Sequence, residues 1–158
     1  MQAHSVIAYS FAAQAASFHL YTGSGKLFAN LRSQLENQAN KRTALVVDDV
    51  MDVTEMLAVL LTHAGYDVVT AASARAALDA ARAKHFDVII SDIGMPEMNG
   101  YELARALRAL PEYERVPLVA VTGYSMFDDR ERSLNSGFTA HMTKPIDPRA
   151  LLDLIDKL

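Results

Sequence analysis

The stretch FDVIISDIGMPEMNG, residues 86–100, contains the features that decide the fold. Its apolar run has the composition of a strand that is buried on both faces, as central strands of parallel sheets are. The run ends at Asp92, and a loop with Gly94, Pro96 and Gly100 follows. Burial of a strand requires the apolar run but not a carboxylate at its end. Asp92 is therefore either an ordinary cap at the surface or a reactive group.

Three similar apolar runs and one weaker candidate accompany this strand. The five runs are ALVV (44–47), YDVV (66–69), DVII (87–90), LVAV (118–121) and, as the weaker candidate, FTAHM (138–142). Between and after them, apolar residues recur every three or four positions, which is typical of amphipathic helices. Strands that alternate with helices in this way predict an α/β fold, with a parallel sheet and helices on both of its faces.

The polarity of the runs predicts the order of the strands. The first, third and fourth runs are the most uniformly apolar, which suits central strands. The second and fifth runs contain Asp67, Thr139 and His141 and therefore suit the edges. The flavodoxin-like order 2-1-3-4-5 satisfies this division. It places a topological switch between strands 1 and 3, where a site is expected at the carboxyl ends.

Residues at the predicted helix ends have the types that such ends favour. Gly65 lies where a helix C-terminus needs a left-handed residue. Asn99 followed by Glu102 resembles a capping box. Asp147 followed by Pro148 resembles an N-cap with proline at the first helical position. These signals support the division of the chain into strands and helices.

Residues 1–42 do not fit the alternation of strands and helices. Leu27, Leu31 and Leu35 could line one side of a short helix. The sequence TGSGK (22–26) lacks the earlier glycine and the following hydroxyl residue of a phosphate-binding P-loop, so a linker is the preferred interpretation. We predict an N-terminal extension of unknown role that is partly helical or disordered, followed by a single domain.

Composition excludes several classes of function. The chain has 158 residues and no cysteine, so disulfide and thiolate chemistry are excluded. Of its 15 basic and 19 acidic side chains, four basic and one acidic lie in residues 1–42, which leaves 11 basic and 18 acidic in the domain at residues 43–158. An acidic domain argues against broad nucleic-acid binding.

The most apolar part of the N-terminal extension does not have the features of a membrane or export segment. Residues 6–20 include Gln14, Ser17 and His19, and they are fewer than the roughly 20 residues that a membrane span needs. Residues 1–5 contain no lysine or arginine, so the positive region of a signal peptide is missing. We expect a cytoplasmic protein without membrane insertion.

Five polar side chains fall at the carboxyl ends of predicted strands, where the topology brings them together: Asp48, Asp49, Asp92, Thr122 and Lys144. Three neighbouring carboxylates repel one another, and Mg²⁺, which prefers oxygen ligands, removes that repulsion. A phosphoryl group would explain the presence of Thr122 and Lys144. The ammonium group of the lysine neutralises one phosphoryl oxygen, and the hydroxyl group of the threonine donates to another. Asp92 is then a nucleophile that forms an aspartyl-phosphate.

Each of these residues also has an ordinary explanation when it is taken alone. Asp48 and Asp49 could cap the following helix, and Asp92 could be a loop residue. Thr122 could reflect β-propensity, and Lys144 could be a solvated surface charge. The combination favours the chemical interpretation, because all five fall at strand ends of one predicted topology.

The same residues resemble the receiver domain of two-component response regulators. The similarity covers residues 43–158 and rests on four motifs in the family's order and spacing: LVVDD (45–49), SDIGMPEMNG (91–100), VTG (121–123) and TKP (143–145). The sequence around MPEMNGYELARALR (95–108) is also similar to that of receivers attached to hybrid histidine kinases.

The resemblance implies how the site binds metal and phosphate. Asp92 matches the phosphoacceptor of the family. Asp49 matches a direct Mg²⁺ ligand, and Asp48 matches the acidic partner that reaches the metal largely through water. The backbone carbonyl of Gly94 matches the remaining protein ligand. Mg²⁺ is therefore the expected cofactor.

The resemblance also implies how the switch works. Thr122 matches the switch hydroxyl and Lys144 the family's cation, with a Lys144–Pro145 bond that is usually cis. The family often has Phe or Tyr where this chain has His141. Gly94 and Tyr124 occupy positions that tune the lifetime of the phosphoryl group.

Taken together, these features predict a phosphoryl-accepting switch of a two-component phosphorelay. A histidine kinase or histidine phosphotransfer protein would phosphorylate Asp92, and the face formed by residues 126–158 would contact an unknown downstream protein. The chain ends near the fifth helix, so we expect a stand-alone receiver without direct nucleic-acid binding. It would not be an enzyme, beyond assisting its own phosphorylation and dephosphorylation.

Two other classes of function stay open at this point. The first is a receiver fold that serves as a phosphorylation-independent interaction module. The intact set of five site residues counts against it, since such a module need not keep them. The second is a hydrolase that acts through an aspartyl-phosphate. The sequence shows neither the added acid/base residue nor the substrate cap that such an enzyme needs.

Overall fold

The computed structural model describes residues 28–34, 41–123 and 127–158, and it describes side chains throughout except at 127–130. Residues 28–34 are helical and exposed, and they belong to a different unit from Lys41–Leu158. Two of the leucines of the predicted N-terminal helix, Leu27 and Leu35, lie outside the described residues, as does Tyr124. None of the described helices has both the length and the apolar character needed to cross a membrane.

Five strands alternate with five helices in the described part of the second unit. The strands are β1 (Thr43–Val47), β2 (Asp67–Ala71), β3 (Val88–Asp92), β4 (Leu118–Thr122) and β5 (Ala140–Thr143). The helices are α1 (Met51–His63), α2 (Ala74–Ala83), α3 (Gly100–Arg108), α4 (Phe127–Asn135) and α5 (Pro148–Ile155), with a 3₁₀ turn at Pro111–Tyr113.

All four strand pairs are parallel, and the order of the sheet is β2-β1-β3-β4-β5. This confirms the predicted flavodoxin-like fold. The register places Asp92 opposite Val121 and Thr122 opposite Thr143, so the strands end at one edge of the sheet.

The fifth strand begins two residues later than its apolar run predicts. Phe138 is apolar because it packs into the core, where it is 4% exposed, and it is not part of the strand. Thr139 ends the preceding turn: its N–H donates to Leu118 O at 2.7 Å, and its hydroxyl accepts from Leu118 N–H at 3.1 Å. The strand starts after these contacts.

The central strands place their side chains alternately into two hydrophobic cores. Leu45 of β1 and Ile89 of β3 face a core that includes residues of α2 and α3. Val46 and Ile90, one position later, face a core that includes residues of α1 and α5. Alternation with a period of two explains why these strands are apolar at every position.

The predicted helix ends are confirmed. Gly65 has a φ of 94° just after α1. Asn99 and Glu102 form a capping box at the start of α3. The Asp147 carboxylate accepts from the N–H groups of Arg149 and Ala150, with Pro148 in the first turn of α5.

Gly100 allows α3 to begin directly against the end of β3. Its N–H donates to Ile93 O at 3.0 Å. A Cβ atom at this position would clash with the carbonyl oxygen of Asp92 and would lie 2.8 Å from Ile93 Cα. These neighbours are backbone atoms, so they cannot give way as a flexible side chain could. Glycine is therefore required for the close approach of α3.

We expect Gly100→Ala to lower the free energy of unfolding by about 1–3 kcal/mol, because the added methyl group overpacks the backbone. Urea denaturation of the two proteins measures this difference. The matched control is Gly123→Ala, where an added Cβ meets no described atom within 4 Å. Its effect is expected to stay within about 0.5 kcal/mol. Equal losses of stability in both variants would contradict the close approach.

Asp87 ties the beginning of β3 to the beginning of β1. Its Oδ2 atom accepts from the Thr43 N–H at 2.6 Å and from the Thr43 hydroxyl group at 2.8 Å. Burial pushes the pKa of Asp87 upward, but the two hydrogen bonds from Thr43 outweigh that effect and leave the pKa below its usual value of 3.8. The ionised carboxylate is thus the form that the fold stabilises.

Because the pKa of Asp87 is lowered in the folded state, its ionised carboxylate stabilises the fold above pH 3.8. This stabilisation is lost as the pH falls through the folded-state pKa. Asp87 is exposed and solvent screens its charge, so we expect Asp87→Asn to lower the free energy of unfolding by only about 0.5 kcal/mol at pH 7 and progressively less in acid. Denaturation at several pH values measures the difference. Asp79→Asn is the control, since its exposed 3.4 Å pair with Arg82 should contribute little. A difference for Asp87→Asn that does not shrink in acid would argue against the predicted role of its charge.

Candidate functional site

The sheet brings three predicted site residues to one edge. Asp48 directly follows β1, and Asp92 and Thr122 are the last residues of β3 and β4. Their side chains are 2%, 7% and 3% exposed, respectively. Buried, hydrogen-bonded strands hold these groups more rigidly than loops would, and rigidity of this kind is what a reactive site needs.

Lys144 reaches the same edge from the end of β5 and bridges two of these residues. Its Nζ atom donates to Asp48 Oδ2 and to Asp92 Oδ1, each at 2.8 Å. Its backbone N–H donates to Thr122 O at 2.7 Å. The Lys144–Pro145 peptide bond is cis, as the resemblance implies. Residues from three strands and the following loops are thus brought together as the topology predicted.

The two carboxylates keep Lys144 charged. Burial alone would lower the pKa of its ammonium group, but hydrogen bonds to Asp48 and Asp92 outweigh burial and raise the pKa above the usual value of 10.5. The ammonium group therefore carries a full charge at neutral pH. A single cation cannot balance two carboxylates, and Asp49 adds a third acidic residue next to Asp48 in the chain. The site retains an excess of acidic groups.

The predicted metal ligands are brought together only in part. Asp48 and Asp92 approach each other across Lys144, and Asp48 Oδ1 also accepts from the Val50 N–H at 2.9 Å. Asp49 is exposed at the next position in the chain. Among the described residues, no group of three or more His, Cys, Asp or Glu side chains is arranged to hold a metal ion.

The chemistry of the donors nevertheless fits magnesium. The available groups are carboxylate and carbonyl oxygens, and Mg²⁺ is usually held by one or two carboxylates while it keeps several waters. Gly94 lies beside the Oδ2 atom of Asp92, where an added Cβ would be 3.4 Å away. That side of the carboxylate is therefore not covered by a side chain from this position. The residues suit a hydrated ion rather than a closed cage of protein ligands.

His141 connects β5 to α4. It is partly buried, and its Nδ1 atom lies 3.1 Å from the hydroxyl oxygen of Ser133, which is fully buried. The structure thus places the position at which the family often has Phe or Tyr at a contact between an edge strand and a helix. Thr122, on the neighbouring strand β4, is buried at the adjacent end of the sheet.

An exposed apolar surface next to the site was not predicted from the sequence. Val50, Met51, Met56 and Val59 lie on α1 or at its N-cap and are 49%, 68%, 46% and 58% exposed. We call these four residues the α1 patch. The signal was available, because Met51, Met56 and Val59 do not share the apolar face formed by the buried Leu57 and Leu61. Exposed apolar patches of this kind often mark interaction surfaces.

Comparisons with known proteins identify the family. The sequence-family model of the response regulator receiver domain matches residues 44–156 of this chain. The polar-differentiation response regulator DivK of Brucella ovis is 32% identical over 114 residues, which cover 72% of this chain and 93% of DivK.

Solved structures agree with this family. The chemotaxis protein CheY4 of Vibrio cholerae matches with a TM-score of 0.71 and 35% identity, over 74% of this chain and 98% of CheY4. A second match is the receiver domain of a sensor histidine kinase of Pseudomonas aeruginosa, which was solved with a magnesium ion in its active-site cleft. It has a TM-score of 0.69 and 27% identity, over 74% of this chain and 96% of that domain. The fold, the position of its acidic edge and the match along residues 44–156 lead to one conclusion: the chain belongs to the receiver domains of two-component response regulators.

Proposed function

We propose that this receiver is a phosphoryl-accepting switch in which Asp92 takes the phosphoryl group from a histidine kinase or a histidine phosphotransfer protein. Receiver domains interact with such proteins as a family. The observation that carries the proposal is the pair of 2.8 Å contacts from Lys144 Nζ to Asp48 and Asp92. An ammonium group held between two buried carboxylates is poised to neutralise a transferred phosphoryl group.

The proposed reaction is a displacement at phosphorus. A carboxylate oxygen of Asp92 attacks the phosphorus of a phosphohistidine, an O–P bond forms, and the N–P bond breaks with its electron pair returning to the imidazole. Lys144 and the hydroxyl group of Thr122 then contact oxygens of the phosphoryl group. Asp48, Asp49, Asp92 and the carbonyl of Gly94 would hold Mg²⁺, which supplies neutralising charge when bound.

Two glycines support access of a phosphodonor to Asp92. Gly94 places no side chain beside Asp92 Oδ2, and Gly123 is exposed just after β4. Asp92 itself is only 7% exposed, so a bulky neighbour would close the remaining approach. The open side also admits water, which makes hydrolysis of the aspartyl-phosphate part of the expected behaviour.

The α1 patch supports docking of a protein phosphodonor. The patch adjoins Asp48 and Asp49 in the chain, and the acidic Asp52 and Glu55 lie on the same exposed part of α1. Exposed apolar and acidic side chains alternate on this helix, so a partner with apolar and basic groups would complement it. A donor that binds there would carry its phosphohistidine next to the acidic edge of the sheet. The expected donor surface is apolar with basic residues around it.

The proposed output is a change in population between two states of the α4 and β5 region. Phosphorylation adds charge near Thr122, and the His141–Ser133 contact links β5 to α4. A phosphoryl group that binds better to one state shifts the equilibrium toward it. The surface that changes would then bind a downstream protein.

We expect one phosphoryl group on the wild-type protein after incubation with acetyl phosphate and Mg²⁺, and none on Asp92→Asn, because the amide is not a nucleophile. Intact mass spectrometry measures the label, which should be stable in acid and labile in base. Asp79→Asn, with an exposed carboxylate on α2, is the matched control and should be labelled like the wild type. Equal labelling of Asp92→Asn would refute the assignment. No label on the wild type would favour a phosphorylation-independent interaction module.

We expect the double variant Met56→Ser/Val59→Ser to slow phosphotransfer from a histidine kinase by about tenfold, because it removes apolar contacts at the interface. The kinase would be one that phosphorylates the wild-type protein in a transfer assay. Labelling by acetyl phosphate should stay unchanged, since that donor needs no docking surface.

The control for the docking experiment is Leu134→Ser, which removes an apolar side chain of similar exposure, 45%, from α4. Its transfer rate should match that of the wild type. If the α1 variant and the α4 variant slow transfer equally, or if the α1 variant also loses labelling by acetyl phosphate, the α1 patch is not the docking surface.

A further inference from the structure

A pocket between α3 and α4 is lined by two arginines that lack a carboxylate partner. It has a volume of about 330 Å³ and is lined by Arg105, Glu131, Arg132, Asn135 and Ser136. Within the residues whose side chains the structure describes, none of the ion pairs involves Arg105 or Arg132. The pocket shares no residue with the edge that carries Asp92.

Neighbouring groups contact both arginines. The guanidinium group of Arg132 lies 4.6 Å from the centre of the Tyr101 ring, which is 5% exposed. Arg105 donates to the hydroxyl oxygen of Ser136 at 3.4 Å, and that hydroxyl group donates to the carbonyl oxygen of Arg132 at 2.8 Å. A guanidinium group has five N–H donors. The ring contact orients Arg132, the contact of Arg105 is weak, and most donors of both side chains stay available.

The pocket brings two guanidinium groups together within an acidic domain. The domain has an excess of acidic residues, yet the two guanidinium groups at this pocket are not paired with carboxylates in the described structure. Guanidinium groups match the geometry of phosphate oxygens and bind them through two parallel hydrogen bonds. Asn135 adds amide donors to the same pocket. The acidic Glu131 lowers the net positive charge of the pocket. This favours a single phosphate group over an extended polyanion.

We propose that this pocket binds the phosphate group of a small phosphate ester, with Arg105 and Arg132 as the two charged donors. The volume of about 330 Å³ lies near the lower end of the roughly 300–1,000 Å³ of small-molecule sites, and the pocket is an open surface depression in which only Ser136 is buried. The Tyr101 ring is already covered by Arg132, so it offers no free face for a base to stack on. Recognition is therefore directed at the phosphate group rather than at the rest of the ligand. The inference does not depend on phosphorylation of Asp92.

The test is a titration of the full chain with inorganic phosphate and then with adenosine monophosphate, followed by ¹⁵N NMR at constant ionic strength without Mg²⁺. We expect saturable shifts at Asn135, Ser136 and the side chain of Arg105, with both probes. The double variant Arg105→Gln/Arg132→Gln should bind phosphate at least about tenfold more weakly. Arg115→Gln, which changes an exposed arginine outside the pocket, is the matched control and should bind like the wild type.

A single variant guards against loss of folding in the double variant. Arg105 is exposed and makes only a 3.4 Å contact, so Arg105→Gln should fold normally and still weaken binding. Thermal unfolding gives a second measurement, because a bound ligand raises the melting temperature of the wild type but not of the double variant. Shifts that do not saturate, or that persist in the double variant, would overturn the proposal. Equal weakening by Arg115→Gln would do the same.

Discussion

The ammonium group of Lys144 is the interaction on which the arrangement of the site depends. It holds Asp48 and Asp92 at 2.8 Å each, although both carboxylates are less than a tenth exposed and would otherwise repel each other. Loss of one partner from a buried ionic group leaves an uncompensated charge, which is strongly destabilising. The sheet order makes the contact possible, because it sets β1, β3 and the strand that leads to Lys144 at the same edge. The proposed reactivity and the stability of the fold are therefore linked at this position.

The rest of the fold limits where polar groups can lie. Side chains of the central strands fill a core on each face of the sheet, so the interior of a strand has no room for a charge. Only the strand ends can be polar, and the carboxyl ends share one edge. Gly100 brings α3 close behind Asp92, which leaves the loop after β3 packed against the site. The acidic edge is thus a consequence of parallel topology with two covered faces.

These constraints explain which features the sequence could predict. The strand order and the meeting of Asp48, Asp92 and Lys144 follow from apolar runs and their ends, which are local patterns. The hydrogen bonds of Arg108 could not be predicted. Its guanidinium group donates to the carbonyl groups of Tyr113, Val116 and Gly137, and these contacts depend on loop conformation. The exposed position of Asp49 also depends on how the chain turns after β1. The exposure of Met51 and Met56 could be inferred only from their position on α1, off the face of Leu57 and Leu61, since residue type alone does not distinguish a core from an interface.

The proposed phosphorylation would change the partner of the central cation. Lys144 contacts Asp92 through Oδ1, whereas Oδ2 lies on the side of Gly94, where no side chain covers it. Conversion of the carboxylate to an aspartyl-phosphate adds phosphoryl oxygens that compete with Asp48 for the ammonium group, because they carry more negative charge. The backbone N–H of Lys144, just after β5, donates to Thr122 O at the end of β4. A shift of Lys144 therefore acts on β5, the strand that contacts α4 through His141. A change of charge at one buried atom thereby has a structural route to the surface.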